Sequence, residues 1–226
     1  MKTASRILGS AFFAAGFEVQ DAPRYGAERR GAPIFAYVRA ARETINERGI
    51  IHRPDLVVVA DDTLVPVPAS GVLAGVGERS VLLINSAEDA TTWQQRLNIH
   101  GPVVTLPASA DVGDRADLPY IGAICAGAAA RLVGVISRDD LGSAIRDELA
   151  PLGREVIERN LDNAFTAWDR MQAHAELVTE GGMTTATDFE RPDWVDLPFE
   201  AARISSPTVY AAANSVEVHT GLRRTL

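Results

Sequence analysis

The sequence predicts an α/β layer fold with an open, mostly parallel sheet, and three observations carry that reading. Residues 55–61, 80–85 and 102–106 are short runs rich in apolar and β-branched residues and bounded by turn residues, the pattern of strands buried on both faces of a parallel sheet. Helical patterns over about 119–134, 138–149 and 151–175 follow them, and strands combined with helices on this scale point to helix-covered sheets. The chain is also large enough: 226 residues, 46% hydrophobic and 23% charged, can bury a core without staples.

The elements read in order as follows. Residues 3–16 are small and apolar on nearly every face, with the cap-type residues Thr3 and Ser5 at the front, so they are expected to form a buried helix. Phe17-Glu18-Val19-Gln20 reads as a short strand. Residues 21–31 have the Gly, Pro and Asp content of an ordered loop. Residues 33–39 read as a strand and 43–46 as a shorter one. Gly71-Val72-Leu73-Ala74-Gly75-Val76-Gly77 is glycine-rich but mis-spaced for a dinucleotide fingerprint, and reads as a connection between helix and strand. Ser137 is a natural N-cap for the helix at 138–149, with Asp139 and Asp140 in its first turn, where the helix dipole favours carboxylates. After about residue 176 the chain turns irregular, acidic and Pro-punctuated, with Trp194, Phe199 and Tyr210 scattered through it. Such an arm either lays aromatic anchors on another subunit or folds over its own domain.

Composition excludes several functions. One cysteine leaves no disulfide framework, four-cysteine zinc site or self-contained iron–sulfur cluster. A net charge of −8 argues against a nucleic-acid binder. No apolar run approaches the ~20 residues of a membrane span, and the apolar start runs into Glu18 and Gln20 without a signal-peptide cleavage site, so the expected location is cytoplasmic. His52, His100, His174 and His219 lie far apart and show no metal-ligand spacing. Cys125, in an apolar helix with no basic neighbour in sequence, reads as an inert core thiol. No Gly-x-Ser-x-Gly elbow and no complete P-loop occurs. Asp61-Asp62 follows a buried strand at the carboxyl edge where α/β folds place ligands. The pair could bind a hydroxyl or a cation, but capping the next helix is the favoured reading.

One segment stands out. Arg24-Tyr25-Gly26-Ala27-Glu28-Arg29-Arg30-Gly31 packs three arginines, a glutamate and a tyrosine into a loop between strands. Guanidiniums offer forked donors to phosphates or carboxylates, and Glu28 can orient one of them. A solvated turn is the plain alternative; the flanking glycines favour a close approach to a ligand or partner.

Here the chain resembles a known family. Lys2-Thr3-Ala4-Ser5-Arg6-Ile7-Leu8-Gly9, then Tyr25-Gly26-Ala27-Glu28-Arg29-Arg30-Gly31-Ala32-Pro33 and Pro54-Asp55 before a buried strand, are similar to the gamma subunit of 2-oxoacid:ferredoxin oxidoreductases, of which the pyruvate enzyme is the best known. The likeness continues through Leu118-Pro119-Tyr120-Ile121-Gly122-Ala123 and Asn160-Leu161-Asp162-Asn163-Ala164-Phe165, and so covers about residues 1–172. It implies a Rossmann-like α/β domain over residues 1–176, with an extended arm over 177–226. The family's enzymes oxidatively decarboxylate a 2-oxoacid with coenzyme A and pass electrons to ferredoxin. By the same resemblance this chain is a subunit, not catalytic alone, assembling with alpha, beta and delta-type subunits. Coenzyme A would be held at the subunit interface. Thiamine diphosphate and [4Fe-4S] clusters would reside on the partners; Gly113-Asp114-Arg115 is not the Gly-Asp-Gly thiamine motif. The implied cofactor-binding or interface residues are Lys2, Thr3, Ser5, Arg24, Tyr25, Glu28, Arg29 and Arg30.

There is one departure. Family members carry a strand and a Gly-x-Gly-Gly-Gln-Gly loop just before the residues matching Lys2-Thr3-Ala4. Met1 stands directly after that position, and is expected to be an internal methionine taken as the start. The ending, residues 220–226, resembles the lead into a ferredoxin-like delta domain in fused relatives. The alternatives to this family are a free-standing α/β small-ligand or nucleotide-binding module and a purely structural subunit.

Overall fold

The computed structural model of the chain describes residues 2–24, 35–46, 49–106 and 120–179, apart from the side chains of Pro23, Arg24 and Ala69. Its first element, α1 (Lys2–Ala14), buries Ala4, Ile7 and Ala11 along one stripe. The helix is not buried all round as its composition suggests, because Arg6 and Ser10 are exposed and Phe13 is 72% exposed. It ends in a Schellman turn. Gly16, at φ +86°, donates to the Phe13 carbonyl and Phe17 donates to the Phe12 carbonyl, while the Phe12 and Phe17 rings meet edge to face at 5.7 Å.

That turn sends the chain back along α1 as β1 (Glu18–Arg24), which pairs antiparallel with β2 (Phe35–Ala41); Glu18 is opposite Ala41 and Arg24 opposite Phe35. The strand therefore runs four residues past Gln20, through residues whose chemistry reads as a turn. Proline is tolerated in a two-stranded ribbon, where one side of each strand needs no donor. Gly9 also lets α1 lie close on Val19 and Asp21, so tertiary contact overrides local preference. On the hairpin's other side the Phe35 ring rests against Gly71. There Arg39 Nη1 also donates to Gln20 Oε1 at 3.4 Å and Nη2 to the Ile50 carbonyl at 3.1 Å. Residues 43–46 are not a strand; Ile45 instead offers its carbonyl to Gln20 Nε2 at 3.3 Å.

The parallel sheet is β3 (Leu56–Val59), β4 (Val81–Asn85) and β5 (Val103–Leu106), in the order β3-β4-β5. All three sequence-predicted runs are present. β4 is central, and Val81, Leu82, Leu83 and Ile84 are wholly buried. Alternation splits the side chains between two cores. Leu56, Val58, Val81, Leu83, Val104 and Leu106 join one cluster, and Val57, Val59, Leu82, Ile84 and Val103 join the other. The second cluster is closed by Trp93 of α2 (Ala90–Leu97), a helix between β4 and β5 that the sequence reading lacks. Asp89 caps it by accepting from Thr92 N at 2.8 Å, and Asn98 ends it in a left-handed conformation.

Three helices complete the layers: α3 (Ile121–Val133), α4 (Arg138–Leu149) and α5 (Arg154–Arg170). α3 is almost entirely Ala, Gly and buried apolar residues, and this smallness lets α5 come very close; a Cβ at Gly127 would lie 2.1 Å from the Ala164 carbonyl oxygen. α4 has the predicted cap, with Ser137 Oγ accepting from Asp140 N and the Asp140 carboxylate accepting from Ser137 N. Its Leu141, Ala144 and Ile145 pack with Ile7 and Ala11 of α1, and Arg6 pairs with Glu148 at 3.3 Å. The single helix expected over 151–175 is shorter. Gly153, at φ +90°, separates a 3-10 turn at Ala150–Leu152 from α5, and a second 3-10 turn follows at Gln172–His174. Among the described residues, no helix is long and apolar enough to cross a membrane.

Candidate functional site

Of the residues singled out in the sequence, Lys2, Thr3 and Ser5 form the first turn of α1. Lys2 is exposed and Thr3 half-buried. Ser5 is buried, and its hydroxyl donates back to the Lys2 carbonyl at 3.0 Å, so it is left only with acceptor capacity. Thr3 packs on the first turn of α3: a Cβ at Gly122 would lie 3.3 Å from Thr3 Cβ and 3.5 Å from the Ala4 nitrogen. Two helix N-termini thus abut. Neither has an acidic residue in its first turn, whereas α4 has Asp139 and Asp140 there. The first-turn N–H groups and the positive ends of two helix dipoles therefore meet with no acidic residue in either first turn, and Lys2 adds a cation. Tyr120, directly before α3, lies under the Arg159 guanidinium at 5.0 Å.

Arg24 ends β1, the strand that leads back from the α1 C-terminus. Gly9 lies against Val19 and Asp21, and the chain reverses between α1 and β1. From Gly9 back to Lys2 is about 10 Å of helix, and from Gln20 on to Arg24 about 13 Å of strand. Beyond Gly9 the strand thus continues away from the C-terminal end of α1. Tyr25, Glu28, Arg29 and Arg30 lie outside the described residues, in the connection between the paired positions Arg24 and Phe35.

At the carboxyl ends of β3 and β4 a different network is closed on itself. Asp61 caps a 3-10 turn, its carboxylate accepting from Thr63 N at 3.0 Å and Thr63 Oγ1 at 2.6 Å. Asp62 accepts from Ser86 Oγ at 2.6 Å, and Ser86 Oγ itself accepts from Trp93 Nε1 and Glu88 N, both at 3.1 Å. Asn85 Nδ2 donates to the Ala60 carbonyl at 3.0 Å. The capping role expected of the aspartates thus holds for Asp61, while Asp62 ties two loops together. Ser86 and Trp93 escape sequence reasoning; a serine directly after a buried strand is the only signal. Among the described residues no three His, Cys, Asp or Glu are placed to share a metal ion. Cys125 is buried in α3, and burial pushes its thiol up to about 12, which fits the inert core role.

Residues 1–168 match the family model described as pyruvate ferredoxin/flavodoxin oxidoreductase. The pyruvate synthase subunit PorC of Methanothermobacter marburgensis is 32% identical over 170 residues, which is 75% of this chain and 90% of that protein. The pyruvate/ketoisovalerate oxidoreductases common subunit gamma of Pyrococcus abyssi is 29% identical over 171 residues, again 75% of this chain and 90% of its own. Among solved structures, the crystal structure of the pyruvate oxidoreductase subunit PORC of Thermotoga maritima superposes with a TM-score of 0.58 at 26% identity, over 74% of this chain and 88% of that one.

Proposed function

The chain belongs to the pyruvate ferredoxin/flavodoxin oxidoreductase family and is a homologue of its PorC, or gamma, subunits, and from that membership we propose that it holds partner subunits together and helps position coenzyme A. It is a cytoplasmic subunit of a 2-oxoacid oxidoreductase, not catalytic alone. Its partners are the alpha, beta and delta-type subunits, with ferredoxin reached through the complex; they carry the thiamine diphosphate and the [4Fe-4S] clusters. The α/β domain spans residues 1–176 and the arm 177–226.

The observation that carries this reading is the meeting of the α1 and α3 N-termini without a first-turn carboxylate. Phosphates suit such a place. Lys2 supplies a cation, and the first turn of α1 with Thr3 and Ser5 supplies backbone N–H groups; the Ser5 hydroxyl, already donating to the Lys2 carbonyl, adds no donor. Arg24, Arg29 and Arg30 supply forked donors, Glu28 orients them, and Tyr25 adds a ring and a hydroxyl. Coenzyme A, when bound, supplies the thiol that receives the acyl group.

Co-expression with the thiamine-diphosphate subunits tests the proposal. The chain is expected to co-purify with them, and the complex of the R29A/R30A variant is expected to bind coenzyme A at least ~10-fold more weakly by calorimetry, since a hydrogen bond to a charged group contributes about 1.5–3 kcal/mol. Failure of the wild-type chain to co-purify overturns the subunit role. Unchanged affinity in the variant overturns the coenzyme A role.

A further inference from the structure

We propose that residues 175–178 are a latch that fastens the first residues of the C-terminal arm to the end of α3, a role independent of the subunit reading. Two backbone hydrogen bonds close it. The Glu176 N–H donates to the Arg131 carbonyl at 3.2 Å, and the Val178 N–H donates to the Leu132 carbonyl at 3.0 Å. Both carbonyls belong to the last turn of α3, where a helix leaves its C=O groups without internal partners. The Gly134 N–H takes the Ala130 carbonyl at 3.1 Å, so with the latch three carbonyls of that last turn are satisfied. Leu177 and Val178 pack as half-buried side chains onto the cluster that contains Leu132 and Met171. The turn leading into the latch is pinned by Arg131, which donates to Gln172 Oε1 and stacks over the Trp168 ring at 5.3 Å.

Two residues with left-handed backbone make the fastening specific. Gly134 has φ +78° and Glu176 φ +59°. Among the described residues only one other non-glycine, Asn98, has positive φ, and asparagine tolerates it where glutamate is strained. The two positions face each other: a Cβ at Gly134 would lie 2.2 Å from Glu176 Cγ and 3.3 Å from its Cα. Closure therefore requires glycine at 134 and holds Glu176 in a conformation it leaves on opening. A strained residue held by two hydrogen bonds at the edge of the core opens well short of global unfolding. Opening uncovers the Arg131 and Leu132 carbonyls.

Hydrogen exchange on the full chain tests the latch. In the wild-type protein the Glu176 and Val178 amides are expected to exchange at least roughly 10-fold more slowly than in G134A, with the β4 amides of Leu82–Ile84 unchanged. E176G removes the strain and is expected to slow exchange at Val178 further. Equal exchange in wild type and G134A overturns the proposal, and so does faster exchange at Val178 in E176G. If G134A does not fold, E176G decides alone.

Discussion

Ser86 illustrates how much one small side chain can hold. It is 2% exposed, and its single oxygen donates to Asp62 while accepting from Trp93 Nε1 and Glu88 N. Ser86→Ala leaves the indole N–H, on a residue only 6% exposed, without its partner, and is expected to cost about 1–3 kcal/mol in urea denaturation, with Ser86→Thr much milder. Asp61 was legible as a cap because aspartate before a turn accepts from nearby N–H groups. Ser86 was not, because its partners come from a loop 24 residues earlier and a helix 7 residues later. Cys125 gives a second prediction at this scale. Its thiol is raised from 9.0 to about 12 by burial, so the folded state holds the proton more tightly than the unfolded chain. The stability linked to that proton is intact below pH 9 and is lost as pH rises through 12. A thiol reagent at pH 8 is accordingly expected to leave the native protein unlabelled and to label it only in denaturant.

At the scale of elements, legibility followed the strength of local signals. β3, β4 and β5 were visible as unbroken apolar runs, and α4 began where Ser137 and its two aspartates placed it. α2 is hard to read because Trp93 is its only buried side chain, so the sequence carries almost no periodic stripe; its cap and stop, Asp89 and Asn98, are the available signals. The candidate site was legible in half. The cap-type residues at the start of α1 are readable, but their meeting with α3 depends on Gly122, one small residue among many. The α3–α5 pair shows why smallness matters. Gly127→Ala drives a methyl into the Ala164 backbone and is expected to lower stability by about 1–3 kcal/mol or more, since neither helix can yield locally. Gly142→Ala, in the middle of α4, meets the flexible end of Arg146 and the Phe165 ring edge, both at 3.2 Å, and Leu161 Cδ2 at an ordinary 3.8 Å. There the gain in helix propensity, about 0.5–1 kcal/mol, offsets the crowding. Thermal melts of both variants check the contrast; equal losses would contradict the packing argument.

For the whole molecule, the α/β class was readable because periodicity reports burial on one or two faces. The separation of strands into a parallel sheet and a detached antiparallel hairpin was not, because pairing partners are set by contacts distant in sequence. The same distance marks α1 most strongly. Its ion pair with α4 joins residues 142 positions apart, and Ile7 and Ala11 are covered by Leu141, Ala144 and Ile145. Translation at about 5–20 residues per second puts roughly 7–28 s between the synthesis of the two helices. Helix α1 is thus completed by a helix made much later, and the part of its apolar stripe that α4 covers waits for it meanwhile. Nascent chains arrested before residue 138 are expected to be cut by protease within α1, and chains arrested after α4 has emerged to resist. Every round of synthesis thus leaves part of that stripe without its final cover for seconds.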